Sequence, residues 1–235
     1  LSLYGNIEVG LDISLDELKA KYDAVILAIG TSVGKKLNIP GEEILNSLSA
    51  ADFVPWYNGH PDFANLKPDL SSDTAVVIGA GNVALDVARL LALEPSELDP
   101  TDMSNHAILA FKKSNIRKVY ICARRGPEFA SFTSSELREL LNLRYTNVVI
   151  TIEDIEAAIK RVGPQPEKQL KSNLDTMSNI SNQRSHHHVR TLEFLFQHVP
   201  YSINGNDKVE SVTFTTPEGK KKINCGLVVS AIGYQ

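Results

Sequence analysis

The chain has 235 residues, 43% of them hydrophobic and 22% charged, enough apolar matter for one large or two small globular domains. A formal net charge of −4 argues against general binding to nucleic acid or to an anionic membrane surface. No apolar run approaches the roughly 20 residues of a membrane-spanning helix, and the opening LSLYGNIEVG has neither a charged-then-apolar signal region nor an Arg-rich amphipathic pattern.

In chain order, SLDELKAKY (14–22) predicts a short helix opened by a capping box, with Ser14 at the cap and Glu17 three residues later. DAVILAIG (23–30) is a continuous apolar run closed by Gly30 and predicts a strand buried on both faces. Residues 31–72 carry many breakers (NIPGEE, VPWYNGHPDF, KPDL) and predict loops around one short helix near 49–58. TAVVIG (74–79) predicts a strand, NVALDVARLLAL (82–93) a helix, residues 100–114 a second helix and KVYICA (118–123) a second strand. TSSELRELLNL (133–143) starts at a Thr-Ser cap with Glu136 in its first turn and predicts another helix. Strand, helix and strand in this order make a parallel β-α-β unit with an extra helix in the crossover. From about 160 to 190 the composition turns polar and predicts a helix within loops. TLEFLFQH (191–198), KVESVTFTT (208–216) and KKINCGLVVSAIG (221–233) predict strands, with turns at INGND and PEG. Cys122 and Cys225 lie in such apolar runs without a C-x-x-C spacing, and read as buried small hydrophobes.

The chemistry concentrates at Gly79-x-Gly81-x-x-Ala84, between a strand and a helix. The first glycine permits a tight turn, the second lets the backbone approach a pyrophosphate, and Ala84 stands where helix and strand pack closely. The helix N-terminus supplies amide N–H groups and partial positive charge for the phosphates. A tight structural turn is the competing reading; the strand-turn-helix context favours a dinucleotide. An NAD-binding domain usually ends its second strand on an acid for the ribose 2′-hydroxyl. Here KVYICA runs into Arg124 and Arg125, which suit a 2′-phosphate. At about 1.5–3 kcal/mol per charge-assisted hydrogen bond, two of them would favour NADP(H) by roughly two to four powers of ten. The runs YDAVILAIGTS (22–32) and CGLVVSAIGYQ (225–235) are alike, and flanking the nucleotide unit they suggest two crossings to a neighbouring domain.

The stretches YGNIEVG, IPGEE, FVPWYNGHPDF, DTAVVIGAGNVALDVARLL, ARRGPEFASFTSSELREL and CGLVVSAIGY resemble the adrenodoxin reductase (ferredoxin–NADP reductase) family of mitochondrial and actinobacterial flavoproteins. The resemblance spans nearly the whole chain, is weakest across 145–205, and points more to the mitochondrial branch than to disulfide reductases. It implies an α/β fold: a Rossmann-like parallel sheet with flanking helices plus a small β-strand extension, the NADP domain of a flavoprotein with two dinucleotide-binding domains. It implies a fragment, with 1–30 a remnant of the FAD-binding domain, 31–229 the NADP-binding domain and 230–235 a crossover back. The implied activity is hydride transfer from NADPH to FAD, then single-electron release to a [2Fe–2S] ferredoxin, in a mitochondrial setting; the fragment alone is expected to be inactive. By position, Gly79, Ala80, Gly81, Asn82 and Val83 would meet NADP, Arg124 and Arg125 its 2′-phosphate, Glu136 would add a polar contact, and Val9 would touch FAD through its backbone. Ala80 departs from the glutamine of animal members, so any side-chain contact there is lost. A stand-alone NADP-binding regulatory module without redox turnover is the alternative.

Other features are weaker. The run His186-His187-His188 cannot aim at one centre from a strand and has no Cys or acidic partners, so no metal is expected. Asp86 reads as a helix-face residue with a local packing or hydrogen-bonding role, Trp56 and Tyr57 as residues that either line a ligand cleft or pack a loop, the resemblance favouring an interdomain cleft, and Lys112, Lys113, Arg117 and Lys118 as a solvated helix end rather than a docking site for an acidic ferredoxin.

Overall fold

The computed structural model describes residues 2–31, 33–182 and 188–235, and the chain divides into two units, 1–32 and 33–235. In the first, helix α1 (Leu15–Lys21) carries the expected capping box: Ser14 Oγ accepts from the Glu17 amide at 3.1 Å, and the Glu17 carboxylate accepts from the Ser14 amide at 2.9 Å. Residues 23–30 form no strand, and Ile26 and Ile29 are 90% and 87% exposed. This corrects the buried strand expected there. A strand exists only as a rung of a ladder, and among the described residues none pairs with this run, so apolar character alone does not order it.

The second unit contains, in order, β1 (Ser47–Ser49), α2 (Ala50–Tyr57), β2 (Thr74–Ile78), α3 (Asn82–Ala92), α4 (Asn105–Lys112), β3 (Lys118–Cys122), α5 (Ser134–Glu139), β4 (Thr146–Val149), α6 (Ile152–Val162), α7 (Lys168–Ser181), β5 (Arg190–Leu195), β6 (Val199–Asn204), β7 (Ser211–Thr216), β8 (Gly219–Asn224) and β9 (Leu227–Ser230). A six-stranded sheet runs β1-β9-β2-β3-β5-β4, every pair parallel, and β6-β7-β8 form a separate antiparallel sheet. The two-residue period of β2 sends its side chains into two cores. Ala75 and Val77 pack with the helices, among Leu85, Ala88 and Leu91 of α3 and Phe53 of α2. Val76 and Ile78 pack on the other face against Val212, Phe214 and Ile223 of the small sheet. Burial on both faces explains why β2 and β9 read as unbroken apolar runs.

The stretch KKINCGLVVSAIG is two strands rather than one. The chain leaves the antiparallel sheet after Asn224, and the Gly226 amide donates to Thr74 O at 3.1 Å as β9 enters the parallel sheet. Strands β1, β4 and β6 are additional to the sequence reading. The polar 160–190 stretch holds the whole of α7, which buries Leu174, Met177 and Ile180, and the end of α6, closed by Gly163 at φ 79°. Near the end of β9 the chain also meets its own entry into this unit. Gly34 and Tyr234 form an antiparallel bridge, the Lys35 amide donates to Gly233 O, and the Gln235 amide donates to Val33 O, both at 2.9 Å.

Candidate functional site

The carboxyl ends of β9, β2 and β3 lie side by side in the parallel sheet and open onto a crevice of about 780 Å³. Gly79, Ala80, Gly81, Asn82 and Val83 line its middle, Arg124 and Arg125 one side, and Ile232, Gly233 and Lys35 the other. A crevice beyond the carboxyl ends of parallel strands is where open α/β sheets bind ligands.

Gly79 sits at φ 150°, and a Cβ there would collide with the Ala231 carbonyl and come within 3.2 Å of Ala84 Cβ, so the turn from β2 tolerates glycine alone. Its amide extends the β2–β3 ladder to Cys122 O at 3.0 Å. Gly81 is the N-cap of α3 and no side chain caps the helix, which leaves the first-turn amides to a ligand. The turn is braced from the loop before α5. The Ser131 amide and hydroxyl both donate to Ala80 O, at 2.8 and 3.1 Å, and Asn82 Oδ1 accepts from the Thr133 amide at 2.7 Å.

Arg124 and Arg125 leave β3 exposed, and neither pairs with an acid among the described residues. Their backbone is clamped to the segment after β5. The Ala123 amide donates to Leu195 O at 2.8 Å, Gln197 to Arg125 O at 3.2 Å, and His198 to Ala123 O at 2.9 Å. The Arg125 guanidinium lies 4.6 Å over the Phe129 ring. In the following turn the Glu128 carboxylate, 7% exposed, accepts two hydrogen bonds from Arg161 of α6, at 2.6 and 3.0 Å. Burial pushes the Glu128 carboxyl up, but the Arg161 hydrogen bonds and charge outweigh it and hold it below its ordinary value. The crevice is thus positive where it is open, and the nearby acid is already neutralised. On the opposite rim the Lys35 ammonium has no acidic partner among the described residues, whereas Lys36 is held by Glu43 at 2.7 Å.

The structure therefore brings together seven of the nine residues singled out from sequence. Glu136 lies in the first turn of α5, outside the crevice lining, and its carboxylate accepts from Ser135 Oγ at 3.0 Å. Val9 belongs to the first unit, 54% exposed, in an isolated bridge with Ile13. Trp56 and Tyr57 correct the expectation of a cleft. Trp56 is 2% exposed and its ring packs 5.3 Å from Phe53 and 6.0 Å from Phe111. The Tyr57 hydroxyl meets the Asp86 carboxylate at 3.1 Å, and burial together with that negative charge raises its pKa. Asp86 also accepts from Arg89 at 2.7 Å, a local role as expected. Lys112 and Lys118 are tied to Asp99 and Glu193, at 2.6 and 3.0 Å. Cys122 and Cys225 are buried free thiols, and burial pushes Cys225 up to about 12. His186 and His187 lie outside the described residues; among those described, no cluster of His, Cys, Asp and Glu has metal-binding geometry. The sequence reading missed Lys35, Phe129, Ser131, Val199 and Pro200 in the lining. Phe129, four residues after the arginine pair in RRGPEF, was within reach of it; the others come from distant segments.

Comparison with known proteins shows the family. The profile of the family described as pyridine nucleotide-disulphide oxidoreductase matches residues 6–153. The mitochondrial NADPH:adrenodoxin oxidoreductase of Arabidopsis thaliana is 37% identical over 264 residues, covering 100% of this chain and 54% of that protein. The human protein of that name is 37% identical over 259 residues, covering 100% and 52%. A solved structure of Mycobacterium tuberculosis FprA in complex with NADPH superposes with a TM-score of 0.84 at 37% identity, covering 98% of this chain and 54% of that one. The chain thus spans about half the length of the relatives it matches. With the family profile over more than half its residues, and relatives aligned from one end to the other, the chain belongs to the pyridine nucleotide-disulphide oxidoreductase family and is similar throughout to its adrenodoxin and ferredoxin reductases.

Proposed function

We propose that this chain is the NADPH-binding part of an FAD-dependent NADPH:ferredoxin oxidoreductase of the adrenodoxin reductase type, whose electrons pass on to a [2Fe–2S] ferredoxin. One observation carries the reading: the uncapped start of α3 and the two arginines after β3 line the same crevice. NADPH, when bound, supplies a hydride; the protein supplies binding, orientation and charge. Gly79 and Gly81 admit the pyrophosphate to the backbone, the first amides of α3 donate to it, and Arg124 and Arg125 receive the 2′-phosphate. Ala80 contributes only backbone, and we assign Glu136 a further polar contact to the bound nucleotide. The fit is supported by the cradle at Gly79, which any Cβ would fill.

For FAD the described residues form no comparable cradle, since Val9, the position assigned to it, stands on a stretch without a buried residue. The chain by itself is accordingly expected to be catalytically silent. The partner reading has a surface to offer: Arg138, Lys168 and Lys171 outnumber the single acid, Asp175, in a groove between α5 and α7 and have no ion-pair partner among the described residues, a net positive face for an acidic ferredoxin. A mitochondrial setting is supported by the plant and human relatives and not by the mycobacterial ones.

Calorimetric titration tests the proposal. Wild-type chain is expected to bind NADP⁺ more tightly than NAD⁺ by roughly two to four powers of ten, and an Arg124→Ala, Arg125→Ala double variant to lose most of that preference. Equal wild-type affinity for the two nucleotides overturns the 2′-phosphate assignment, and stoichiometric flavin in the purified chain overturns the expectation of catalytic silence.

A further inference from the structure

Behind one wall of the crevice lies a negative charge. Residues 118–135, which run from β3 through the arginine pair to α5, contain a single acid, Glu128. Gly126 and Phe129, on either side of it in the chain, line the crevice; Glu128 does not, and its side chain is 7% exposed. A Cβ added to Gly126 would land on the Glu128 carboxylate and come 2.7 Å from the Arg161 guanidinium, so this ion pair stands directly behind the wall. A carboxylate in that place opposes Arg124 and Arg125. Coulomb energy falls only as the inverse of distance, so an unpaired acid repels a 2′-phosphate without touching it. Burial strengthens the repulsion, because little water or salt screens it.

The opposing charge is cancelled by a cation from far along the chain. Arg161, in the last turn of α6, donates from Nε to Glu128 Oε1 at 2.6 Å and from Nη2 to Oε2 at 3.0 Å. Both carboxylate oxygens are engaged, and a fork of this kind holds the two charges together as one neutral unit. Glu128 first, and Asp154 of the same helix after it, keep the Arg161 guanidinium in its charged form. A basic residue at a helix C-terminus also complements the helix dipole, but Lys160 beside it serves that end as well. Among the described residues only Arg161 pairs with Glu128, and Arg161 itself lines no part of the crevice.

We infer that Arg161 is a specificity-determining residue of a crevice it does not touch: by neutralising Glu128 it preserves the positive charge with which Arg124 and Arg125 separate NADP(H) from NAD(H). It is a positioning and charge-balancing residue, acting through Glu128 and never on the nucleotide. The inference rests on the dinucleotide reading of the site and deepens it, by placing part of the coenzyme preference on a helix outside the site.

The test is titration calorimetry of the purified chain with NADP⁺ and NAD⁺ at low ionic strength and about pH 8, where an unpaired carboxyl is ionised. Thermal unfolding run in parallel shows which variants stay folded. Arg161→Gln keeps a donor for the carboxylate and removes the charge. It is expected to lower the preference for NADP⁺ over NAD⁺ roughly 5- to 30-fold, with NAD⁺ affinity nearly unchanged. Arg161→Met does the same. Arg161→Lys, which keeps the charge without the fork, holds the wild-type preference. Adding Glu128→Gln to Arg161→Gln restores it, and Glu128→Gln alone does not lower it. A wild-type preference in Arg161→Gln or Arg161→Met overturns the inference and leaves the dinucleotide reading standing. So does an equal loss of both nucleotides, a loss that persists once Glu128→Gln is added, or a fall in Glu128→Gln alone. Failure of the wild-type chain to bind NADP⁺ overturns the dinucleotide reading itself, and this inference with it.

Discussion

Gly79 is the residue at which chain geometry and ligand approach coincide. Its φ of 150° lies where side chains rarely go, and the space a Cβ would need is taken by the Ala231 carbonyl and by Ala84. Gly79→Ala is therefore expected to cost about 2–4 kcal/mol of stability, from backbone strain and overpacking together, and to displace the start of α3 from the crevice. Urea denaturation with a parallel nucleotide titration measures both effects; an alanine variant as stable as wild type contradicts the geometry. Gly81 differs. Its φ is −117°, and the nearest atom to an added Cβ is the Ser131 hydroxyl at 3.2 Å, so its use is to keep the approach to the pyrophosphate open rather than to relieve the fold.

Among the elements, the loop between β6 and β7 is tied to the segment before β2 by the ion pair Asp69–Lys208, at 2.8 Å. Hydrogen bonds from Lys208, then from Ser71, lower Asp69 from 3.8 to about 2, and the Asp69 hydrogen bond and charge raise Lys208. A carboxylate depressed in the folded state adds stability above its unfolded pKa and loses it as pH falls through the folded one; a raised ammonium adds stability below its unfolded pKa and loses it as pH rises through the folded one. The tie is thus in force between about pH 4 and 10, and weakens on the acid side between about pH 4 and 2. Asp69→Asn is expected to lower the urea midpoint at neutral pH slightly and to flatten the drop between pH 4 and 2, read from denaturation curves across that range; the pair is too exposed for a large effect.

Elements also show where sequence reading succeeds and where it stops. The β2-α3-β3 unit was legible because residues 75–78 of β2 are apolar and buried, α3 concentrates its apolar residues toward the sheet, and Gly79 marks the join. The arginine pair was legible because it follows a strand end directly. Helix α7 was obscured because lysines, serines and asparagines fill its exposed face, although Leu174, Met177 and Ile180 have helical spacing. Strand β6 alternates exposed and half-buried positions around Pro200, with a register shift between Pro200 and Ser202, and so lacks a plain apolar signature. The run 23–30 misled in the opposite direction, because periodicity reports what a segment can bury and not whether a partner strand is present. Trp56 shows the same limit at a site: an aromatic beside a turn reads alike whether it lines a cleft or seals a core.

For the whole molecule, the two units differ in what they bury. No residue among 2–31 is buried, whereas the second unit holds both hydrophobic cores and every element of the crevice. Deletion of residues 1–32 is accordingly expected to leave the melting temperature within a few degrees and NADP⁺ affinity within twofold, measured by calorimetry on the shortened chain. A collapse of either would show that the first unit contributes to the fold of the second. The two cores share one sheet, with β2 and β9 feeding both faces, so loosening either core reaches the crevice through the same strands.

The bridge between Gly34 and Tyr234 has a mechanical consequence. Residues 33–35 and 233–235 are laced together on the rim of the cavity, beside Ile232 and Gly233. A guest seated against that rim would rest at once on two stretches far apart in sequence and stitched to each other.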